Sequence, residues 1–520
     1  MKNNEKYLYN KTNDKNAGFS MWMAFPGDYA FSLSSIGYLW MYKTLDESPE
    51  INVERVCADT KNVKYKNADL IGFSFSFDMD FLTIFRMLEK YKIPLKSSER
   101  TKELVFAGGP AVSANPLPYS DFFDFFIIGD GEEVTLKAVQ VCKENRDKKE
   151  ALKILSETEG IYVPGILTRI HKPADGSLRN STLSPKERVK KVTKQLDNCV
   201  YTPILSENAF FKNTFIIEMA RGCTNRCGFC IASYINLPLR CTPYGELIKT
   251  IDFGLEHTDK IALLGAQVSA HPHFNDVCKY IYEKIQNGRK IKMSISSLRV
   301  DAVTPEVIKT LAAAGQKTST LAIEAGSERL RKVINKNITE KQILNAVKIC
   351  RENGLKGIKF YGMTGLPTET QEDIEAIVRL AARIKAENKG FNISFGFSTF
   401  VPKAHTPFQW CARQDTKLLE AKANYLKKEL HKLGISVSVS SAKWDYYQAV
   451  LSLGGETMGD FLIEVYRNGG KLGAFKSAAK KYSVGLPELS LNSPLAWDFI
   501  EMPPGKEFLI KEHCRLLGCN

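Results

Sequence analysis

Short apolar runs alternate with stretches of helical periodicity in two regions of this chain, separated by a polar, basic segment. In residues 21–145, positions 32–45 carry Leu33, Ile36, Leu39, Trp40 and Leu45 at helical spacing, and 81–91 repeat the pattern. The runs at 52–58, 70–76, 104–107 and 123–128 are short and apolar, which predicts buried strands. Strands alternating with helices predict a doubly wound parallel sheet with crossover helices. Residues 1–20 are polar and read as a frayed tail. Residues 146–210 read as a basic linker: 169–194 hold eight Lys or Arg against two acids, with Pro173, Gly176 and Pro185 breaking any long helix.

The alternation returns over 211–433. Strands are predicted at 215–219, 260–264, 292–297, 320–323, 357–361 and 392–400, and helices at 305–314, 339–352 and 369–386 among others. Six βα units fall short of the usual eight-stranded barrel, so a partial, open (βα)6 barrel is expected. Residues 434–520 form a smaller mixed region with helical stretches at 444–453 and 459–468. The fold class is therefore α/β, with a doubly wound front domain, a linker, a partial barrel and a C-terminal region.

Composition narrows the classes. Of 520 residues, 44% are hydrophobic and 25% charged, an ordinary globular balance that excludes a disordered chain. Twelve cysteines are too sparse for a disulfide scaffold. No apolar stretch is long enough to span a membrane, and the polar start is unlike a secretory signal, so a cytoplasmic, reducing location is expected. The net charge of +14 admits acidic partners, but a solvated linker accounts for its densest part better than a nucleic-acid contact does.

Three cysteines stand together as Cys223-Thr224-Asn225-Arg226-Cys227-Gly228-Phe229-Cys230, spaced C-x3-C-x2-C just after the first strand of the second region. A closed structural zinc site wants a fourth ligand, and no second Cys or His pair lies nearby. In a [4Fe–4S] cluster, three thiolates leave one iron open. Two predicted strand ends of the front region are glycine-rich: Gly108-Gly109-Pro110 and Gly129-Asp130-Gly131-Glu132. Glycines there let a cofactor approach the backbone or simply form tight turns. Cys514 and Cys519 read as terminal thiols.

With an aromatic residue, Phe229, before its last cysteine, the loop resembles the signature of the radical S-adenosylmethionine (radical SAM) superfamily. The resemblance implies that Cys223, Cys227 and Cys230 hold a [4Fe–4S] cluster and that SAM chelates the open iron. Reductive cleavage of SAM would then give a 5′-deoxyadenosyl radical. It implies cofactor contacts at matching strand ends: Gly265, with Gln267 where the family usually carries an acid; Arg299 or Arg329 toward the SAM carboxylate; Glu324 and Ser327; and Gly362 in the adenine-binding segment. Glu324, Lys403 and His405 are the candidate catalytic residues. The front region is similar to the cobalamin-binding domain that precedes the barrel in one class of the superfamily, which implies a cofactor role for Gly108, Gly109, Gly129, Asp130, Gly131 and Glu132. No D-x-H-x-x-G stretch offers a histidine to cobalt.

The expectation is a cobalamin-dependent methyl transfer to a substrate the sequence does not name, with an electron donor such as flavodoxin or ferredoxin. The alternatives are radical SAM chemistry without cobalamin, such as methylthiolation or rearrangement, and a zinc-containing nucleic-acid-binding protein. Methylthiotransferases carry three further cysteines in their front domain, where this chain has only Cys57 and Cys142.

Overall fold

A computed structural model describes residues 4–11, 17–166 and 188–518. The chain divides into two compact units, one made of Met1–Gln195, Thr202–Asn213 and Tyr447–Gly505, the other of Leu196–Tyr201, Thr214–Tyr446 and Lys506–Asn520.

The first unit is built on six strands: β1 (Ser20–Phe25), β2 (Asn52–Cys57), β3 (Leu70–Ser74), β4 (Leu104–Gly108), β5 (Phe125–Ile127) and β6 (Ile161–Tyr162). They lie in the order β2-β1-β3-β4-β5-β6, parallel except for β6. Both faces of β1 are covered, and Met21 to Ala24 are all buried, as an inner parallel strand requires. One face packs Met21, Leu70 and Phe106 against Leu39, Tyr42 and Val139 of the crossover helices. The chain leaves β1 toward β2 and returns to β3 on β1's other side, so the strand order reverses between β1 and β3. That reversal opens a crevice at their carboxyl ends.

The second unit holds β7 (Phe215–Arg221), β8 (Lys260–Gly265), β9 (Lys292–Ile295), β10 (Thr318–Glu324), β11 (Gly357–Thr364), β12 (Asn392–Thr399) and β13 (Ser436–Val439). Neighbours in this series pair in parallel, with a bridge between Leu298 and Leu321 joining β9's end to β10. Two strands shift register near their carboxyl ends, β7 between Glu218 and Ala220 and β10 between Ala322 and Glu324. Such irregularities turn the following side chains out of the regular alternation. Among the described residues, no helix is long and apolar enough to cross a membrane.

Four segments depart from the expectation. Residues 5–7 are no frayed tail: Glu5–Tyr7 pairs antiparallel with Ile204–Ser206, and Glu5 forms a buried ion pair with Arg55 at 2.5 Å. A polar strand buried by pairing leaves no hydropathic trace. The expected linker contributes the helix Lys148–Ser156 and strand β6, while most of its basic run, 167–187, lies outside the described residues. The barrel sheet does not stop at 433, because β13 adds a seventh parallel strand. The C-terminal region is not one body: its helices Gly459–Arg467 and Leu472–Lys481 belong to the first unit, and its last helix to the second.

Candidate functional site

The cysteine loop leaves β7 at its carboxyl end and is held from three directions. Gly228 donates its N–H to the carbonyl of Ile334 at 3.1 Å and accepts from the N–H of Phe408 at 3.0 Å. A Cβ at position 228 would stand 2.7 Å from the Phe408 ring, so only glycine lets that ring cover the loop. The Asn335 side-chain amide donates to the carbonyls of Asn225 and Arg226, both at 3.0 Å, and Tyr234 Oη also donates to the Arg226 carbonyl, at 2.9 Å. Within the loop, Cys230 N–H donates to the Cys227 carbonyl at 3.0 Å.

This holding gathers the thiols. Cys223 and Cys227 are buried and Cys230 is partly so. Burial pushes the Cys227 thiol up to about 12, a rise that Lys336 opposes and Cys230, Glu324 and Cys223 reinforce. Cys230 is likewise raised, first by burial, with Cys223 adding to it. Three thiolates here therefore need a cationic partner. A single tetrahedral ion would draw its sulfurs to about 3.8 Å of one another, given Zn–S bonds of about 2.3 Å. Among the described residues, no group of three or more Cys, His, Asp or Glu converges on one ion. A cubane is different, since each thiolate binds its own iron. Three thiols on one loop, two buried and one partly so, near enough to feel each other's charge, fit that arrangement.

Other strand ends meet the loop. Gln267, after β8, accepts from Cys223 Sγ at 3.4 Å and from the Asn225 side-chain amide, which also donates to Cys223 Sγ at 3.4 Å. Gly265 ends β8 with the Ala220 carbonyl 3.1 Å from where its Cβ would stand. Glu324, at β10's shifted end, has φ of 63° and pairs through Oε1 with Lys336 Nζ at 3.1 Å, both side chains nearly buried. Gly362 lies opposite Glu324 in the sheet and leaves room for the Phe397 ring. Arg299 feels the charge of Cys227 and Cys223, but its guanidinium is engaged by Asp301 at 2.9 Å. Phe229 packs against an apolar cluster that includes Ala325, Ile334, Phe400 and Phe408.

The remaining expected residues are placed differently. The Ser327 hydroxyl caps the helix α1 (Glu328–Val333) by accepting from Leu330 N–H at 3.1 Å, and it also donates to Asp373. Its oxygen is thus taken up locally. His405 is buried at φ 59°, its N–H donating to Gln409 Oε1 at 2.9 Å. Lys403 precedes it in the same turn, which reaches the cysteine loop through Phe408. In the first unit, a Cβ at Gly109 would meet the Phe75 carbonyl at 2.6 Å, and one at Gly129 the Val192 carbonyl at 2.2 Å. Asp130 accepts from Lys194 N–H at 2.8 Å, and Glu132 is buried. Close approach of the protein's own backbone thus explains Gly109 and Gly129, whereas Gly108 and Gly131 keep more room.

Three features escaped the sequence reading. Lys336 looks like any surface lysine, though it stands between Asn335 and Asn337, two residues with positive φ of 58° and 44°. Asparagine tolerates that conformation, so the Asn-Lys-Asn triplet was a usable signal for a sharp loop. The last helix, α2 (Lys506–Leu517), borders the cysteine loop: Arg226 lies over the Phe508 ring at 5.1 Å, and Arg515 donates to Asn335 Oδ1 at 3.2 Å. In the first unit, Phe31 and Phe77 follow β1 and β3 in sequence and remain 51% and 46% exposed, Phe31 with one face stacked on Phe210 at 4.6 Å.

Comparison with known proteins agrees with this geometry. The family model for the N-terminal part of radical SAM proteins matches residues 50–164, and the radical SAM superfamily model matches 217–381. An uncharacterized protein of Methanocaldococcus jannaschii is 28% identical over 446 residues, covering 84% of this chain and 89% of that one. An uncharacterized methyltransferase of Pyrococcus horikoshii is 24% identical over 353 residues, 64% of this chain and 68% of that one. The radical SAM methyltransferase TsrM of Kitasatospora setae, solved with cobalamin and a [4Fe–4S] cluster, superposes with a TM-score of 0.51 at 14% identity, covering 74% of this chain and 72% of that one, a likeness of fold. The matched regions include β2 to β6 of the front sheet, the cysteine loop after β7 and the carboxyl ends of β8 to β11, and the chain is an enzyme of the radical SAM superfamily.

Proposed function

We propose that this enzyme carries out a cobalamin-dependent methyl transfer, with Cys223, Cys227 and Cys230 each holding one iron of a [4Fe–4S] cluster. The observation that carries this reading is the clasped cysteine loop, whose three thiols are gathered in a buried setting. With cluster, SAM and cobalamin bound, the cofactors supply reductive SAM cleavage to a carbon radical and a transferable methyl group.

The chain's own residues bind, balance charge and exclude water. Lys336 and Arg299 offset the negative charge of the thiolates at close quarters, where a low dielectric strengthens the attraction. Glu324 gives Oε1 to Lys336 and has Oε2 to accept a hydrogen bond from an ammonium or a ribose hydroxyl. Phe229, Phe400 and Phe408 keep an apolar wall beside the loop. In the first unit, Phe77 after β3 and Phe31 after β1, the latter stacked on Phe210, offer exposed apolar rings to a large macrocycle. The fold shared with TsrM supports the same reading.

Anaerobic reconstitution with iron and sulfide should yield a [4Fe–4S] signal by absorption and EPR, and 5′-deoxyadenosine from SAM under reduction. Cobalamin added during reconstitution should stay with the protein through gel filtration. Cluster and SAM cleavage without retained cobalamin would replace methyl transfer with radical chemistry of another kind. Bound zinc without iron would remove the whole reading.

A Lys336→Met variant should leave Glu324 without its buried partner and reduce SAM cleavage about 10- to 100-fold, the usual cost of losing a residue that supports a metal site's ligands. The rate should be normalised to iron content, which is expected to stay near that of the unaltered protein.

A further inference from the structure

Each thiol of the cysteine loop meets a different polar neighbour. Cys227 feels the charge of Lys336, and Cys230 sits beside the Ser233 hydroxyl. Cys223 meets a short relay of neutral groups instead. Gln267 opens a single helical turn after β8, its carbonyl accepting from Ala270 N–H at 3.0 Å. Its side-chain nitrogen donates to Ser269 Oγ at 3.3 Å, which turns Oε1 toward the cysteine loop. There Oε1 accepts from the Asn225 amide, and the same amide nitrogen donates to Cys223 Sγ at 3.4 Å. An amide nitrogen carries two hydrogens, so both bonds are made at once. The Asn225 backbone is fixed separately, by the Asn335 amide on its carbonyl at 3.0 Å. Cys223 also donates to Gln267 Oε1 at 3.4 Å, a bond that needs the thiol proton. Once the sulfur holds iron that proton is gone, and Asn225 is left as the donor aimed at it.

We propose that the Asn225 amide raises the reduction potential of the cluster through its hydrogen bond to Cys223, and that Gln267 is a positioning residue that acts through Asn225. The proposal rests on the cluster assignment above. Reduction adds one negative charge to the cluster, partly carried by its sulfurs. An N–H dipole aimed at a sulfur therefore favours the reduced form. Cys223 is buried, and the low dielectric around it strengthens that attraction. No bond is made or broken in this role and no atom is transferred; the relay shifts the balance between two charge states of the cluster.

The test is an anaerobic, EPR-monitored redox titration of the reconstituted full-length enzyme without SAM, using titanium(III) citrate and mediators. In Asn225→Ala the ratio of reduced to oxidised cluster at a fixed potential should fall about tenfold, a shift of about 59 mV for one electron. Gln267→Leu, outside the loop, should lower the ratio by a smaller factor, since it frees the Asn225 amide without removing it. The double variant should match Asn225→Ala alone, because a residue that acts through another has no effect once that other is gone. Iron content should be the same in all four proteins; where Asn225→Ala loads poorly, the drop in Gln267→Leu decides the matter. Unchanged potentials in both single variants would overturn the relay while leaving the cluster in place. Additive shifts in the double variant would overturn the action of Gln267 through Asn225. Weaker SAM binding by Gln267→Leu at an unaltered potential would place Gln267 on the substrate instead. An unaltered protein without a [4Fe–4S] signal would overturn the cluster reading, and this proposal with it.

Discussion

A Cys227→Ala variant should fold normally yet hold no stable [4Fe–4S] cluster and form no 5′-deoxyadenosine above background. The fold should persist because the loop is positioned by groups other than the thiol: the Gly228 N–H on Ile334, the Phe408 N–H on Gly228, and the Asn335 amide on two carbonyls. Replacing a sulfur with hydrogen at a buried site removes little volume. The chemistry should fail because two remaining thiolates leave two of the four irons without a protein ligand, and such a cubane is readily lost to solvent. Iron and sulfide content, EPR after reduction and product chromatography measure the effect. Cys241→Ala is the matched control, since Cys241 sits on a short edge strand outside the loop. Full SAM cleavage in Cys227→Ala would end the assignment of that cysteine.

The second large effect belongs to stability. Asp124 accepts four hydrogen bonds in the first unit: from Arg100 Nε at 3.3 Å and Nη2 at 2.9 Å, from Val105 N–H at 2.8 Å, and through its other oxygen from Lys148 Nζ at 2.7 Å. The side chains of Arg100 and Asp124 are essentially inaccessible to water. Asp124→Ala leaves Arg100 as a buried charge with only the carbonyls of Pro94, Leu95 and Phe122 for company. A loss of about 3–5 kcal/mol is expected, the usual result of removing one member of a buried pair. Urea titration followed by far-UV circular dichroism measures it. The iron content of the reconstituted variant should survive at low temperature, because Asp124 lies in the first unit and the cysteines in the second. Cobalamin retention should fall with the stability of the unit proposed to bind it.

The parts of this molecule legible in its sequence are those written in local terms. The alternation of apolar runs gave four of the six front strands, β2 to β5, and the first six barrel strands within a few residues, whereas β1, the inner strand Ser20–Phe25, and the short β6 were not foreseen. The cysteine triplet was legible because its ligands are neighbours in sequence. Lys336 was not: its burial follows from the bend that Asn335 and Asn337 impose and from Glu324 twelve positions earlier, and no local pattern distinguishes it from an exposed lysine. Glu5 was hidden for the same reason, its burial depending on Arg55 fifty residues away. Ser327 carries a local role the sequence reading did not foresee, since the hydroxyl at this strand end caps its own helix. Gly109 and Gly129 stand at strand ends as expected, yet a side chain there would collide with the protein's own backbone.

The path of the chain through its two units has a consequence for how the enzyme is made. The second unit takes its last helix from Lys506–Leu517, after the chain has returned to the first unit for Tyr447–Gly505. During synthesis the cysteine loop therefore emerges long before the helix that carries Phe508 and Arg515. For that interval Arg226 lacks the Phe508 ring and Asn335 lacks Arg515, so the loop is without part of its outer support. Iron loading is thus best timed after release from the ribosome, and a fragment ending before residue 506 should be the wrong object in which to study the cluster.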